Sequence, residues 1–187
     1  MGKKIVIFNG SPRPNGNTSA LIRAFSLGAE EAGNTVTTFL LDSMNIKGCK
    51  GCFGGGKSPD TLCMQKDDME KIYPVYKEAD IVVLASPLYY YTVSGQLKTA
   101  IDRLFAVVEA DPDFRNPPKD CILLMPAEEQ DAFGEALHYY NGLLKHIGWN
   151  NIGTVLAGGV NKVGDIEGKP VLDEARRLGA ALKTSSP

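Results

Sequence analysis

The sequence predicts a doubly wound α/β sandwich, in which helices cover both faces of a parallel sheet. Two observations predict this fold class. Short aliphatic runs alternate along the chain with longer segments of helical period, which gives five strands and five helices. Four of the five runs show the pattern of strands buried on both faces, which is typical of a parallel sheet. The expected strands are 5–8, 36–41, 81–85, 121–125 and 152–157.

The helices are predicted from apolar residues that recur on one stripe. This spacing predicts helices over 18–32, 93–108 and 132–147. A further helix is expected behind Asp67, which would act as its N-cap, and Pro74 is expected to kink it. The last helix is expected to begin at Pro170, a favourable first-turn residue, and to run to about Lys183.

The length, charge and apolar runs of the chain exclude several classes of protein before any motif is considered. The chain has 187 residues, which suits a single domain over 1–187 with a substantial core. Its formal charge is −2, so no general attraction to nucleic acid or to anionic lipid is expected. No apolar run approaches the ~20 residues of a membrane span, and the N-terminus shows no signal-peptide pattern. We therefore expect a soluble, cytoplasmic protein without a nucleic-acid or membrane partner.

The first expected strand is followed by the stretch NGSPRPNGNTSAL, residues 9–21, which indicates a phosphate-binding loop. Gly10 and Gly16 allow backbone N–H groups to turn inward, and the helix behind them points its positive end at the same place. The alternative is a polar turn that only caps the helix, which needs Asn17 or Thr18 alone. The candidate phosphate ligands are Ser11, Arg13, Asn15, Asn17, Thr18 and Ser19.

This loop does not match the two common nucleotide motifs. A P-loop needs G-x-x-x-x-G-K-[ST], but five residues separate Gly10 from Gly16, and Asn17 stands in place of the lysine. The G-x-G-x-x-G dinucleotide fingerprint is also missing after this strand. A phosphate monoester held mainly by neutral donors therefore fits better than a magnesium nucleotide.

Two further loops are expected at the same edge of the sheet, because ligands of such sheets bind beyond the carboxyl ends of the strands. After the third strand, Pro87 is followed by Tyr89, Tyr90 and Tyr91, whose flat faces suit an aromatic ring. The alternative for each tyrosine is packing against the next helix. After the fourth strand, residues 125–130 are expected to contribute mostly backbone contacts.

These stretches together resemble the NAD(P)H-dependent FMN reductases of the flavodoxin-like superfamily, which include iron-sulfur flavoproteins. GSPRPNGNTSAL resembles the FMN phosphate loop, ADIVVLASPLYYYTVSGQLKTAIDRL resembles the flavin-ring segment, and PAEEQ stands at the third flavin loop. The resemblance runs over about residues 4–182 and implies a flavodoxin-like three-layer sandwich with strand order 2-1-3-4-5. It implies that the phosphate ligands named above hold FMN and that the ring is bordered by Pro87, Leu88, Tyr89, Tyr90, Tyr91, Ala127 and Glu128.

The function that the resemblance implies is the transfer of reducing equivalents from NADH or NADPH, through bound FMN, to a small-molecule or protein acceptor such as free flavin, a quinone or a ferric compound. The protein contributes position and electrostatics in such chemistry, so no catalytic side chain is named. Family members are commonly dimers or tetramers, and a homodimer or a dimer of dimers is expected. Two alternatives stay open: a flavodoxin-like electron carrier that serves a protein partner, and a nucleotide-binding regulatory domain without redox chemistry.

Three cysteines lie in residues 42–66, hereafter the cysteine loop, and they depart from the pattern of the iron-sulfur flavoproteins. The cysteine pattern of those proteins is similar to C-x2-C-x2-C with a fourth cysteine some residues later. Here Cys49 and Cys52 are followed by Gly55 in the third position and then by Cys63. An iron-sulfur cluster or other metal is therefore not expected, and a redox-active pair of Cys49 and Cys52 stays an alternative. The loop is expected to keep its fold through backbone turns at its glycines.

Overall fold

The structure is a computed structural model that describes residues 2–58 and 61–182. Its strands are β1 (Lys4–Asn9), β2 (Thr35–Leu40), β3 (Ile81–Ala85), β4 (Asp120–Pro126) and β5 (Asn150–Ala157). Its helices are α1 (Asn17–Glu31), α2 (Met69–Glu78), α3 (Gly95–Arg103), α4 (Phe105–Glu109), α5 (Gly134–Ile147) and α6 (Pro170–Ala180), with a short 3₁₀ turn at Leu41–Ser43. None of the helices in these two described stretches is long and apolar enough to cross a membrane.

The five strands form one parallel sheet in the order β2-β1-β3-β4-β5, as predicted. The three central strands are buried on both faces, whereas β2 and β5 are partly exposed because they lie at the edges. The sequence had indicated four fully buried strands, which is one too many. All five carboxyl ends meet at the same edge, so the loops that follow the strands lie together.

Alternate residues of the central strands build two separate cores. Val6 and Phe8 of β1 face a core that includes residues of α2, α3 and α5. Ile5 and Ile7 face the other core, which includes residues of α1 and α6. The sandwich therefore has three layers, and α1 lies on the face opposite to α3.

Helices α1 and α6 approach each other backbone to backbone. A Cβ atom on Gly28 would lie 2.0 Å from the carbonyl oxygen of Arg176, and one on Gly179 would lie 2.1 Å from that of Phe25. Only glycine fits at either place, because a backbone carbonyl cannot move aside as a flexible side chain can.

The prediction of one helix over 93–108 was wrong in its extent. The segment breaks at Leu104 into α3 and α4. The carbonyl of Arg103 accepts a hydrogen bond from the Tyr73 hydroxyl at 3.0 Å, and the N–H of Val107 bonds to Leu104 instead of reaching back to Arg103. The other predicted helices agree within two residues where they can be compared. The predicted end of the last helix at Lys183 lies outside the described residues, and the observed helix ends at Ala180.

The start of α2 also differs in detail from the prediction. The residue before the helix is Asp68, but the Asp67 carboxylate accepts a hydrogen bond from the N–H of Met69 at 3.1 Å. Asp67 thus caps the first turn, as expected, but it stands one residue before the N-cap position. The helix continues through Pro74 to Glu78.

The surroundings of two glycines predict opposite effects for their replacement by alanine: Gly179 lies in the close approach of α1 and α6, and Gly142 lies on an open helix face. Gly179→Ala should lower the free energy of unfolding by about 1–3 kcal/mol, because the helices must move apart. Gly142→Ala, on the open face of α5 where no atom of the described residues lies within 4 Å of an added Cβ, should raise it by about 0.5–1 kcal/mol. Urea denaturation of both variants measures the difference, and equal stabilities would contradict the packing described here.

Candidate functional site

The loop after β1 is folded by its own polar side chains. The Asn9 side chain accepts a hydrogen bond from the Ser11 N–H at 3.0 Å and donates one to the Ser19 hydroxyl at 3.2 Å. The Ser11 hydroxyl accepts from the Arg13 N–H at 3.2 Å, and the Gly16 N–H donates to the Arg13 carbonyl at 3.0 Å. These contacts turn the chain back toward the sheet edge before α1 begins.

Gly10 joins this loop to the one after β3. Its N–H donates to the Ala85 carbonyl at 2.8 Å, and its carbonyl accepts from the Ser94 hydroxyl at 2.7 Å. A Cβ atom on Gly10 would lie 2.6 Å from that hydroxyl oxygen and 2.7 Å from the Cβ of Leu97. The glycine is therefore required by the approach of α3 to the loop.

The N-terminus of α1 lies uncapped inside the site. Its N-cap residue is Gly16, which has no side chain to accept from the helix, and its first turn contains no acidic residue. Asn17 is buried; its amide nitrogen donates to the Lys162 carbonyl at 3.0 Å, whereas its Oδ1 atom has no hydrogen-bond partner among residues 2–58 and 61–182. The alternative of a turn that merely caps the helix is therefore not what the structure shows.

The loops enclose an inner cleft of about 170 Å³ at the carboxyl edge of the sheet. Nine of the thirteen predicted site residues line it: Ser11, Arg13, Asn17, Thr18, Pro87, Leu88, Tyr89, Ala127 and Glu128. The three loops that follow β1, β3 and β4 thus converge, as the sequence predicted.

The other four predicted residues lie elsewhere. Asn15 is exposed and does not line the cleft, and the Ser19 hydroxyl bonds to Asn9 and to the Arg13 carbonyl within the loop. Tyr90 and Tyr91 line an adjoining outer cleft of about 440 Å³. This outer cleft shares Leu88 and Glu128 with the inner one, and its remaining walls are Glu129 and Ala132.

A fourth loop, which follows β5, also borders the cleft and was not predicted from the sequence. The Ala127 N–H donates to Ala157, and the Val160 N–H donates back to Ala127, both at 2.9 Å. The guanidinium of Arg13 donates to the Asn161 carbonyl at 2.8 Å. The signal was present as Gly158 and Gly159 directly behind the strand, since a Cβ on Gly158 would lie 2.3 Å from the Gln130 carbonyl.

Tyr90 and Tyr91 form the tip of a tight hairpin with unfavourable backbone angles. Tyr89 and Thr92 exchange both backbone hydrogen bonds, at 3.0 and 3.1 Å, which leaves a two-residue turn between them. Both turn residues have positive φ, +46° and +62°, a conformation that favours Asn-Gly and costs other residues about 1–2 kcal/mol each. The strained turn presents Tyr90 fully to solvent beside the outer cleft.

Comparison with known proteins shows the family to which the chain belongs. Residues 3–127 match the family model of the NADPH-dependent FMN reductases. An iron-sulfur flavoprotein of Archaeoglobus fulgidus is 32% identical over 181 residues, which cover 96% of this chain and 78% of that protein. The chain belongs to the NADPH-dependent FMN reductase family. Membership makes this reductase an FMN-dependent oxidoreductase.

Other relatives of the reductase match over a shorter stretch. An iron-sulfur flavoprotein of Methanocaldococcus jannaschii is 42% identical over 103 residues, which cover 54% of this chain and 51% of that protein. The reductase chain thus spans about half the length of that relative.

Solved structures that resemble the reductase confirm its flavodoxin-like fold. An NAD(P)H:quinone oxidoreductase from Methanothermobacter marburgensis superposes with a TM-score of 0.75 at 18% identity, over 98% of this chain and all of that one. An FMN-dependent NADH-azoreductase from Bacillus anthracis, solved with FMN, gives 0.67 at 12% identity, over 95% of this chain and 97% of that one. At these identities the likeness concerns the fold alone.

The strained hairpin predicts a gain of stability on substitution. Replacing Tyr90 by Asn and Tyr91 by Gly should raise the free energy of unfolding by about 2–4 kcal/mol, because both new residues tolerate positive φ and the strain at each position is relieved. Tyr90→Phe keeps the strain and should leave stability unchanged. Thermal or urea denaturation of the apoprotein measures both variants, and no gain in the double variant would show that the turn is unstrained.

Proposed function

We propose that this reductase passes reducing equivalents from NADH or NADPH, through FMN, to a small acceptor such as free flavin, a quinone or a ferric compound. One observation carries the assignment of FMN to the cleft: the Asn17 Oδ1 atom is buried at an uncapped helix N-terminus, and no donor in the described part of the chain reaches it. A buried acceptor without a donor is costly. A ligand that brings hydroxyl donors beside an anionic group satisfies both features, and the ribityl phosphate of FMN is such a ligand.

The proposed phosphate end of the site uses neutral donors and one cation. The first N–H groups of α1 and its positive dipole end favour an anion. Ser11 and Thr18 add hydroxyl groups, and Arg13 stands at the rim, where its bond to Asn161 uses one of five guanidinium N–H donors. A phosphate monoester can be bound there without a metal ion.

The ring end of the proposed site needs the outer cleft as well. Ligand pockets usually measure about 300–1,000 Å³, so the inner cleft is too small for a whole FMN molecule. Leu88 and Glu128 border both clefts, and Tyr90 and Tyr91 extend the wall on the outer side. We assign the isoalloxazine to the junction of the two clefts, which suits the aromatic faces of the tyrosines.

When bound, FMN supplies the redox chemistry, since it accepts a hydride from a nicotinamide and hands electrons on. The side chains of this chain bind and orient the reactants. Leu88 and Tyr89 line the inner cleft, and the hydrogen bond from the Leu88 N–H to the Pro126 carbonyl at 3.0 Å holds the second and third loops together. No side chain is required as nucleophile or general base.

Arg13→Ala tests the site and the reaction in one experiment. A charge-assisted hydrogen bond contributes about 1.5–3 kcal/mol, so FMN affinity should fall roughly tenfold to hundredfold without loss of the fold. The wild-type protein, loaded with FMN, should oxidise NADH or NADPH in the presence of a quinone, ferric or free-flavin acceptor. Flavin fluorescence titration measures the affinity, and absorbance at the nicotinamide band measures turnover.

Arg23→Ala is the matched control, because Arg23 lies exposed on α1 away from the cleft. It should bind FMN as the wild type does. Equal affinity in the Arg13 variant would remove Arg13 from the site. Bound flavin that exchanges electrons only with a protein partner would indicate the carrier instead, and a protein that binds no flavin would indicate the regulatory domain.

We propose further that the reductase is a homodimer or a dimer of dimers. Within the described residues, the four non-glycine residues with positive φ are all exposed aromatics: Phe53, Tyr90, Tyr91 and Phe114. Backbone strain that keeps aromatic rings in water is typical of a functional or interaction surface. A second copy of the chain is the simplest cover for these rings and for a flavin beside the tyrosines.

Light scattering at micromolar concentration tests this assembly. The wild type should have at least twice the mass of one chain, and Phe114→Ser should shift the population toward monomer, because Phe114 lies in the loop that extends from α4. Leu27→Ser, which changes an exposed apolar residue on α1, should not change the mass. A monomeric wild type would refute the proposal.

A further inference from the structure

The names of the curated relatives raise the question of an iron-sulfur cluster in this chain. A cluster commonly needs four thiolates and a structural zinc site needs four ligands. Over 2–58 and 61–182, no three His, Cys, Asp or Glu side chains are grouped closely enough to hold a metal ion. The residues present therefore do not fit the group, and the arrangement of the cysteine loop shows what holds it instead.

The three cysteines of the loop lie in different surroundings. Cys49 and Cys52 are exposed, whereas Cys63 is buried. The Cys63 sulfur accepts a hydrogen bond from Nη2 of Arg103 at 3.4 Å. This sulfur therefore faces a guanidinium group, whose positive charge would repel a metal ion.

Gly55, three residues beyond Cys52, has no room for a side chain. Its N–H donates to the Glu109 carboxylate at 2.8 Å. A Cβ atom there would lie 2.6 Å from that carboxylate oxygen and 2.8 Å from the Ala106 carbonyl. A cysteine at this position would collide with α4, so this place in the loop is closed to a third thiolate.

The buried side chain of Arg103 binds several parts of the cysteine loop. Its side chain is 1% exposed, and that of Asp67 is fully buried. Nη1 donates to Asp67 Oδ2 at 2.6 Å and to the Lys47 carbonyl at 2.7 Å, and Nη2 donates to Asp67 Oδ1 at 3.1 Å and to the Gln65 carbonyl at 3.4 Å. One side chain thus binds both ends of the cysteine loop and the first residue beyond it.

We propose that the cysteine loop folds around the guanidinium of Arg103 without an iron-sulfur cluster, and that Cys49 and Cys52 are left as accessible thiols. A planar guanidinium with five donors can satisfy a carboxylate, carbonyls and a thiol at once, which is the organising role that a metal ion has in other cysteine-rich loops. Gly51 and Gly56, two of the glycines at which turns were expected, have positive φ. The long-range contacts of the loop include those of Lys47 and Gln65 with Arg103 and the bond from the Gly55 N–H to Glu109.

Anaerobic reconstitution of the full chain with ferrous iron and sulfide tests the first half of the proposal. After desalting, iron should be far below a stoichiometric amount, and the visible spectrum should show no absorbance beyond that of flavin. In the reduced protein, a thiol reagent should titrate two cysteines rapidly, both before and after reconstitution, in agreement with the two exposed thiols. Stoichiometric iron that protects these thiols and is lost in Cys63→Ser would overturn the proposal.

Arg103→Gln tests the second half. The number of rapidly titrated thiols should rise to include Cys63, and trypsin should cut the loop roughly tenfold faster or more. Arg115→Gln is the matched control, because Arg115 forms an exposed pair with Asp113, and it should change neither readout. Asp67→Asn, a milder change in the same pair, should shift both readouts in the same direction and serves if Arg103→Gln does not fold. Unchanged thiol reactivity and proteolysis in the folded variants would refute the role of Arg103.

Discussion

The buried hydroxyl of Ser94 is the contact on which the geometry of the site depends. It donates to the Gly10 carbonyl and accepts from the Leu97 N–H at 3.3 Å as the cap of α3, while the Ser94 N–H bonds to the Ser86 hydroxyl at 2.8 Å. One residue thus connects the loop after β1, both ends of the loop after β3, and a helix. Because parallel strands only bring their carboxyl ends to one edge, such cross-links are needed to turn adjacent loops into a defined cleft.

The binding site is built from features that do not favour the stability of the chain. A capped α1 would be more stable than one that begins at Gly16 with an unpartnered amide oxygen beside it. An Asn-Gly turn would be less strained than Tyr90 and Tyr91. These unfavourable choices lie together around the two clefts, which is the pattern expected where ligand binding compensates for local strain.

A buried charge pair, Arg103 and Asp67, has a structural role on the side of the sheet that α2 and α3 cover. Burial alone would raise the pKa of Asp67, but hydrogen bonds from Arg103 and from the N–H groups of Lys47 and Met69 outweigh it and hold the pKa below its usual value. Because the pKa is depressed, this contribution to stability is present above the pKa of the unfolded state, about 3.9, and is lost as the pH falls from there through the lower pKa of the folded state. The pair therefore secures the cysteine loop at neutral pH without a metal.

The sequence by itself determined the fold class, the strands and most of the inner cleft. These features depend on local patterns: aliphatic runs, helical periodicity, and glycine and polar residues directly behind β1. Tertiary structure decided the rest. At the break beside Leu104 the Arg103 carbonyl accepts from the Tyr73 hydroxyl, 30 positions away. The Arg103–Asp67 pair joins residues 36 positions apart, and the contact of Arg13 with Asn161 spans 148 positions. No local pattern encodes such pairs, because each is set by the packing of elements that are distant along the chain.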